Sequence, residues 1–475
     1  MERKIHVKPF DFISITDCKF NETVNQHSTG WIMGNIRTEN EAAYLEKSLS
    51  NDEVKVVIYD EMGKEIPIFI GVVDRIETWT ENDATTMELF IKSYTQLLDV
   101  KRETYTFQDA KMKYKALAEQ LLINKLYQMY QPSCAFLENE NREIKDILVQ
   151  YKETDWEFLK RLASHFNTVI IPEVAAQPGI NFYFGICKGD TVSTLTPISY
   201  KVKKDISEYY FKTQNDLSGL TENHTLTYEV EEYNIRRLGD LIKFKGREYL
   251  IYSLERKYKN FELVNYYTIK NENGFKVPRY DNQEITGSSL DGIVLGISGD
   301  RVKAHMLVDT AQSESTAKWF TYSTIYSSPD GTGWYAMPEI GDSVRLYFPT
   351  AKEQDGYIIN SVHINENRPS QRMDPDDKLL MNKHGKYVLL QPQGVYISNG
   401  DKMNIELVDD YGIIIKSDKV IEIKADKDVV LHSQKGAVSI IGAQGITLSQ
   451  DKGELEIKDN IIFKGVTGVF TGVSD

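Results

Sequence analysis

The sequence predicts a mainly β, multidomain chain, and three observations lead there. Apolar pairs two residues apart recur as Ile405/Leu407, Ile413/Ile415, Ile421/Ile423, Val429/Leu431, Val438/Ile440, Ile446/Leu448 and Leu455/Ile457, in steps of eight or nine. Two strand-patterned blocks, at 1–100 and 169–280, are split by stretches with helical period. Five short alternating segments crowd into residues 290–362. At 475 residues the chain is too long for one core, so three or four domains are expected.

The first block reads as a small barrel or sandwich. Val54–Tyr59 and Ile66–Ile70 flank Gly63, a hairpin signal. Residues 71–76 and 87–93 follow, around the polar turn Thr80-Glu-Asn-Asp83. The period then changes. Tyr114, Leu117, Leu121 and Leu122 lie near helical spacing. A second helix is expected after Thr154, an N-cap with Glu157 at capping-box spacing, and its apolar face is Phe158, Leu162 and Phe166. Trp156 and Phe158 read as core, and Glu153 and Asp155 as anions at a helix start. Strand patterns return over 169–280, with Asn181–Gly185 and Tyr249–Ser253 the clearest. The polar stretch 278–284 marks a boundary. Beyond it, Leu290–Leu295, Arg301–Leu307, Trp319–Tyr322, Ser343–Phe348 and Gly356–Val362 are the right number and size for a Greek-key barrel of the OB type. A polar linker, 365–377, precedes the repeat.

In the repeat each pair is a period-2 signature of one short strand with one buried face. Turn formers lie between: Gly412, Asp418, Asp426, Gly436, Gly445 and Gly453. Such units cannot bury their faces alone. Three arrangements remain open: a single-chain solenoid, a triangular prism of three identical chains, and a meander of antiparallel hairpins.

The net charge of −14 argues against a nucleic-acid partner. Three scattered cysteines and no Cys/His cluster argue against a disulfide frame or zinc site. The N-terminal residues show no signal-peptide pattern and no 18-residue apolar run exists, so synthesis in a cytoplasm is expected. GxSxG, Walker A and HExxH motifs are absent. Gly292–Asp300 reads as hairpin chemistry, and the pairs Asp409/Asp410 and Asp376/Asp377 as solvated turns. No catalytic residue, cofactor or metal is expected.

Three segments in order resemble the spike proteins of contractile injection machines, the VgrG family and phage hub–spike fusions. Gln150-Tyr-Lys-Glu-Thr-Asp-Trp-Glu-Phe-Leu-Lys-Arg-Leu-Ala163 is similar to that family's Q-Y-x-E-[ST]-x-x-x-F-[IL]-x-R-L segment, through Gln150, Tyr151, Glu153, Phe158, Arg161 and Leu162. Met337–Phe348 resembles P-x-x-G-x-x-V-x-V-x-F through Pro338, Gly341, Val344 and Phe348. The eight-residue repeat is the third, and Tyr105-Thr-Phe-Gln108 is a weaker match.

The resemblance implies a hub of two β-barrel-like domains with intervening helices (1–280), an OB-fold-like barrel (286–370), a trimeric triangular β-helix needle (383–465) and a tail (466–475). It implies a homotrimer that caps a hexameric tube, meets baseplate proteins and breaches a target envelope. The tail, with Val466, Val469 and Phe470, either seats a PAAR-like tip protein or effector or frays as a terminus. Some relatives carry a lysozyme before the needle or a toxin after it; here about twenty residues fill the first gap and about a dozen follow Lys464, too few for a domain. Related tips hold iron through H-x-H, absent here; His432 reads as a surface residue and His384 as a linker residue. Two other readings stand: a phage-tail or tailocin hub, and a glycan-binding or glycan-degrading β-solenoid.

Overall fold

The computed structural model describes residues 5–46, 53–60, 62–123, 125–189, 192–259, 262–361, 374–400, 402–451 and 453–457. The chain divides into two compact units, Met1–Ile364 and Asn365–Asp475.

In the first unit, the two strand-rich blocks join in one twelve-stranded sheet. The junction is the antiparallel pair Phe12–Thr23 and Arg247–Lys259, with Phe20 opposite Arg256. One hydrophobic core lies on each side of it, around Phe20, Val56 and Leu89 and around Ile242, Ile251 and Tyr267. Beside the junction Glu22 pairs with Arg256, both buried, and Arg256 Nη2 donates to the Arg236 carbonyl at 2.7 Å. The pairing has a physical consequence: a buried charge held by its opposite resists a slip in register, because slipping would strand it. Strand Glu65–Glu81 runs through both segments expected at 66–76 and turns back into Ala84–Lys92. Asn82 and Asp83 make the turn with φ of 50° and 61°, the left-handed pair that a two-residue hairpin requires.

The sequence does not signal the nine-residue helix Thr38–Glu46. It buries no residue, so there is no apolar stripe to read. The two expected helices are present as Tyr114–Leu122 and Asp155–Ser164, packed with Ile170–Pro172, Asn181–Phe184 and Ser133–Phe136.

Five strands follow where alternation places them: Ser289–Ser298, Arg301–Met306, Trp319–Thr321, Ser343–Tyr347 and Tyr357–Ser361. In the sheet the third of these lies beside the second, then the first, fourth and fifth. The third and fifth meet through a parallel bridge, Tyr322 to Ile358, and the Ser323 amide donates to the Ile358 carbonyl at 2.8 Å. Val344, Leu346 and Phe348 all point inward and are buried.

In the second unit, Lys378–Met381, Tyr387–Gln391, Gly394–Ser398, Met403–Val408 and Gly412–Ser417 form a five-stranded antiparallel meander. Ile446–Gln450 and Gly453–Ile457 form a hairpin. Two features mark this unit. Neighbouring strands pair within the chain, Ile405 with Ile415 and Leu407 with Ile413. Ile421, Ile423, Val429, Leu431, Val438 and Ile440 lie in stretches without strand among the described residues. The reason is burial: a lone chain offers these side chains no second surface, so nothing offsets the entropy of ordering them.

Candidate functional site

Two of the resemblance segments, 150–163 and 337–348, and the weaker match 105–108 lie along a buried seam inside the first unit, where the helical layer meets the five-stranded sheet. The strand Leu148–Thr154 pairs with Arg102–Phe107 and ends at a helix N-terminus. Thr154 caps that helix: its hydroxyl accepts from the Glu157 amide at 3.1 Å, and the Glu157 carboxylate accepts from the Thr154 amide at 3.0 Å. Gln150 ties strand to helix, donating to the Glu153 carbonyl at 3.0 Å and to Asp155 at 2.9 Å. Tyr127 donates to the other Asp155 oxygen at 2.8 Å.

Arg161 is the centre. Its guanidinium is fully buried. Nε and Nη2 make a two-pronged contact with Glu153 at 2.8 and 2.7 Å. Nη2 also reaches the Val149 carbonyl at 2.7 Å, and Nη1 reaches Glu353 at 2.7 Å. Glu353 is buried too and belongs to the Glu353–Asp355 turn before the strand Tyr357–Ser361. Burial opposes the guanidinium charge, but the Glu153 hydrogen bonds and the Glu353 and Glu153 charges raise its pKa above the ordinary arginine value. Glu153 is thus the partner of Arg161 rather than a helix-start anion, which corrects the sequence reading. Asp155 is likewise held by Gln150 and Tyr127, and burial raises its pKa.

Other bonds cross the same seam. The Thr106 amide donates to Asp309 at 2.7 Å, and the Thr106 hydroxyl bonds the other Asp309 oxygen. Gln108 donates to the Ala304 carbonyl at 3.1 Å and accepts from the Lys318 amide at 3.2 Å. Asn282 donates to the Tyr151 carbonyl at 2.7 Å, and Lys318 pairs with Asp146. Ile147 and Val149 insert into the apolar core of the five-stranded sheet, with Tyr151 packed against it. Phe158 and Leu162 face the helical core instead, Phe158 stacked on Phe107 at 5.8 Å. Pro338 is buried; Gly341, at φ 93°, turns the chain so that its amide meets the Val294 carbonyl at 3.0 Å. Asp342 accepts from the Glu339 amide at 2.8 Å, a turn role as expected.

The arrangement is a polar lock whose charged groups bond to one another. Among the described residues no three His, Cys, Asp or Glu side chains are grouped to hold a metal ion. His384 and His432 are exposed. Sequence reasoning missed Glu353, Asp309 and Lys318, which lie in no repeat or motif; Thr106 and Gln108 fell within the weaker resemblance.

The repeat residues form a second candidate surface. Ile405 is 39% exposed, Ile413 71%, Ile423 69% and Leu431 65%. Ile421, Val429, Val438, Ile440, Leu448 and Leu455 are also exposed. Val466, Val469 and Phe470 lie outside the described residues. No helix among the described residues is long and apolar enough to cross a membrane.

No protein-family model matches the sequence, and no curated protein matches it. Solved structures do. An E. coli component of the type VI secretion system, c3393, itself similar to T4 bacteriophage tail proteins gp27 and gp5, superimposes with a TM-score of 0.54 at 16% identity, over 76% of this chain and 100% of that one. A chain of the Francisella PdpA-VgrG complex in its lidded form does so with a TM-score of 0.53 at 11% identity, over 87% and 80%. The lidless form gives 0.53 at 9%, over 87% and 97%. At these identities the likeness is one of fold. The buried seam, the five-stranded sheet and these superpositions agree: the chain has the fold of the VgrG and phage tail spike proteins.

Proposed function

We propose that this protein is the structural spike of a contractile injection machine, acting as a homotrimer without catalysis of its own. Residues 1–280 serve as the hub that caps a hexameric inner tube and meets baseplate proteins. Residues 286–370 serve as an OB-like collar; the strand order and the parallel bridge between third and fifth strands support that reading. Residues 383–465 serve as the needle, and 466–475 as the seat for a PAAR-like tip or an effector. The action is mechanical: contraction drives tube and spike outward, and the needle breaches the target envelope.

One observation carries the proposal: a sheet and repeat whose aliphatic side chains stay exposed in the single chain. Contiguous apolar surface of this kind marks a contact yet to be made. A phage-tail or tailocin hub is the same reading in another machine. The glycan-binding solenoid has less support, since the meander replaces the coils it needs and the fold neighbours belong to injection machines.

Sedimentation equilibrium and negative-stain microscopy of the purified chain test the proposal. A mass of three chains and a threefold head bearing a thin rod are expected. A monomer at micromolar concentration with no rod would overturn it.

A further inference from the structure

Asparagine followed by glycine occurs twice in the chain, at Asn273-Gly274 and Asn399-Gly400. Glycine has no side chain to shield its amide nitrogen or to restrict its backbone, so that nitrogen can reach the side-chain carbonyl of the residue before it. The fold puts the two pairs in opposite settings.

Asn273 lies in the helical turn Glu272–Phe275. The buried Gly274 amide is engaged by Asn271, donating to its carbonyl and to its Oδ1, both at 2.9 Å. The space around it is filled: a Cβ on Gly274 would lie 2.7 Å from the His224 carbonyl oxygen and 3.1 Å from Lys270 Cβ. Asn399 is exposed, in the turn that joins Gly394–Ser398 to Met403–Val408. Gly400 has a φ of 91°, and nothing lies within 4 Å of the place a Cβ would take. Lys386, next to the opposed pair Tyr387 and Ser398, donates from its ammonium group to Asn399 Oδ1.

We propose that Asn399 is a site of spontaneous deamidation, and that the fold protects Asn273 from the same reaction. The Gly400 nitrogen gives up its proton to water and attacks Asn399 Cγ. The new C–N bond closes a five-membered succinimide, and Nδ2 leaves as ammonia, taking its third proton from water. As the attack proceeds, negative charge gathers on Oδ1, where the Lys386 ammonium stabilises it. Water then opens the ring. Opening at Cγ leaves aspartate; opening at the backbone carbonyl leaves isoaspartate, with the chain running through Cγ. No oxidant or metal takes part. At Gly274 the first step is opposed, because the amide proton is held by two acceptors and the helical turn fixes the backbone.

The product alters the second unit at a sensitive point. A hairpin turn sets which residues of its strands face each other. Isoaspartate adds one carbon to the main chain beside the opposed pairs Ser398 with Asn404 and Ile397 with Ile405. It also places a carboxylate against Lys386. The sheet therefore loses stability with age.

Peptide mass spectrometry of the full chain, incubated in neutral buffer and digested at intervals, tests the proposal. Isoaspartate is scored by methylation with an isoaspartyl methyltransferase. Acid is expected to accumulate at 399, with isoaspartate present, while Asn273 remains an amide. Both sites unchanged, or 273 converting as fast as 399, would overturn the proposal. In urea the two sites should convert at similar rates; continued resistance at 273 there would show that neighbouring sequence, not fold, protects it. Lys386→Met should slow conversion at 399, and an unchanged rate would remove Lys386 from the reaction. Asn399→Gln should hold its melting temperature through an incubation over which the parent declines. Equal melting of aged parent and aged variant would overturn the structural consequence. None of these outcomes depends on the number of chains in the assembly, so the function proposed above stands or falls separately.

Discussion

The seam around Arg161 and the sheet of residues 378–417 solve opposite problems. The seam buries charge and pairs it within the chain: one guanidinium, two carboxylates and a backbone carbonyl meet at 2.7–2.8 Å, with the second Glu353 oxygen buried and without a hydrogen bond. The sheet completes its hydrogen bonds and leaves aliphatic surface open. A buried charge tolerates no vacancy, because an unpaired ion in a dry site costs several kcal/mol. An exposed isoleucine costs far less, so its partner can arrive later. The rigid joint is thus finished in one molecule, while the open face is suited to be finished by several.

Substitutions at four positions sharpen that contrast. Arg161→Ala should have the largest effect, about 3–5 kcal/mol of lost stability, since it leaves Glu153 and Glu353 buried and uncompensated. Urea unfolding measures it, and a loss below about 1 kcal/mol would show that water enters the seam.

Acid should come next, through His165. Burial, with Arg279, Arg161 and Arg142 adding, lowers its pKa from 6.5 to about 2. The group is neutral when folded and takes a proton when unfolded. Its contribution is therefore complete above pH 6.5 and declines below it, by about 1.4 kcal/mol per pH unit. Between pH 7 and 5 the wild type should lose about 2 kcal/mol more than His165→Gln. Parallel pH dependences would contradict this assignment. Asp155 and Asp309, both raised by burial, act with the opposite sign: folding favours their protonated forms, so acid stabilises through them. Comparing wild type with the variant cancels their contribution.

Thr154→Ala removes a helix cap and should cost about 1 kcal/mol. Thr154→Ser, which keeps the hydroxyl, should recover most of it in the same melt. Lys416→Ala in the second unit should be smallest, within about 0.5 kcal/mol, because its pair with Glu406 is solvent-screened. A loss as large as that of Arg161→Ala would mean the two ion pairs are alike, and the contrast between the regions would fail.

Legibility in the sequence tracks how local each feature is. The helix Asp155–Ser164 was readable with its cap, because Thr154 and Glu157 are three residues apart and answer each other directly. The five strands between 289 and 361 were readable from alternation, which Val344, Leu346 and Phe348 follow to full burial. Partners were less readable. Nothing in the sequence ties Arg256 to Glu22, or Phe12–Thr23 to Arg247–Lys259, so the joining of the two strand-rich blocks in one sheet is not legible there. In the repeat, a period of two identifies which side chains share a face but not which strand lies alongside. The spacing of Ile405 and Leu407 puts them on one face, while their antiparallel partners Ile415 and Ile413 cannot be read from it. Glu353 was invisible because it has no motif and lies 192 residues from the arginine it serves.

That distance also sets a clock. A ribosome adding roughly 5–20 residues per second takes roughly ten to forty seconds to pass from one residue to the other. For that interval Arg161 has Glu153 beside it but no Glu353, and the apolar side chains of Ile147 and Val149 have no five-stranded sheet to enter. Slower translation through residues 290–353 would therefore lengthen the exposure of this surface to aggregation.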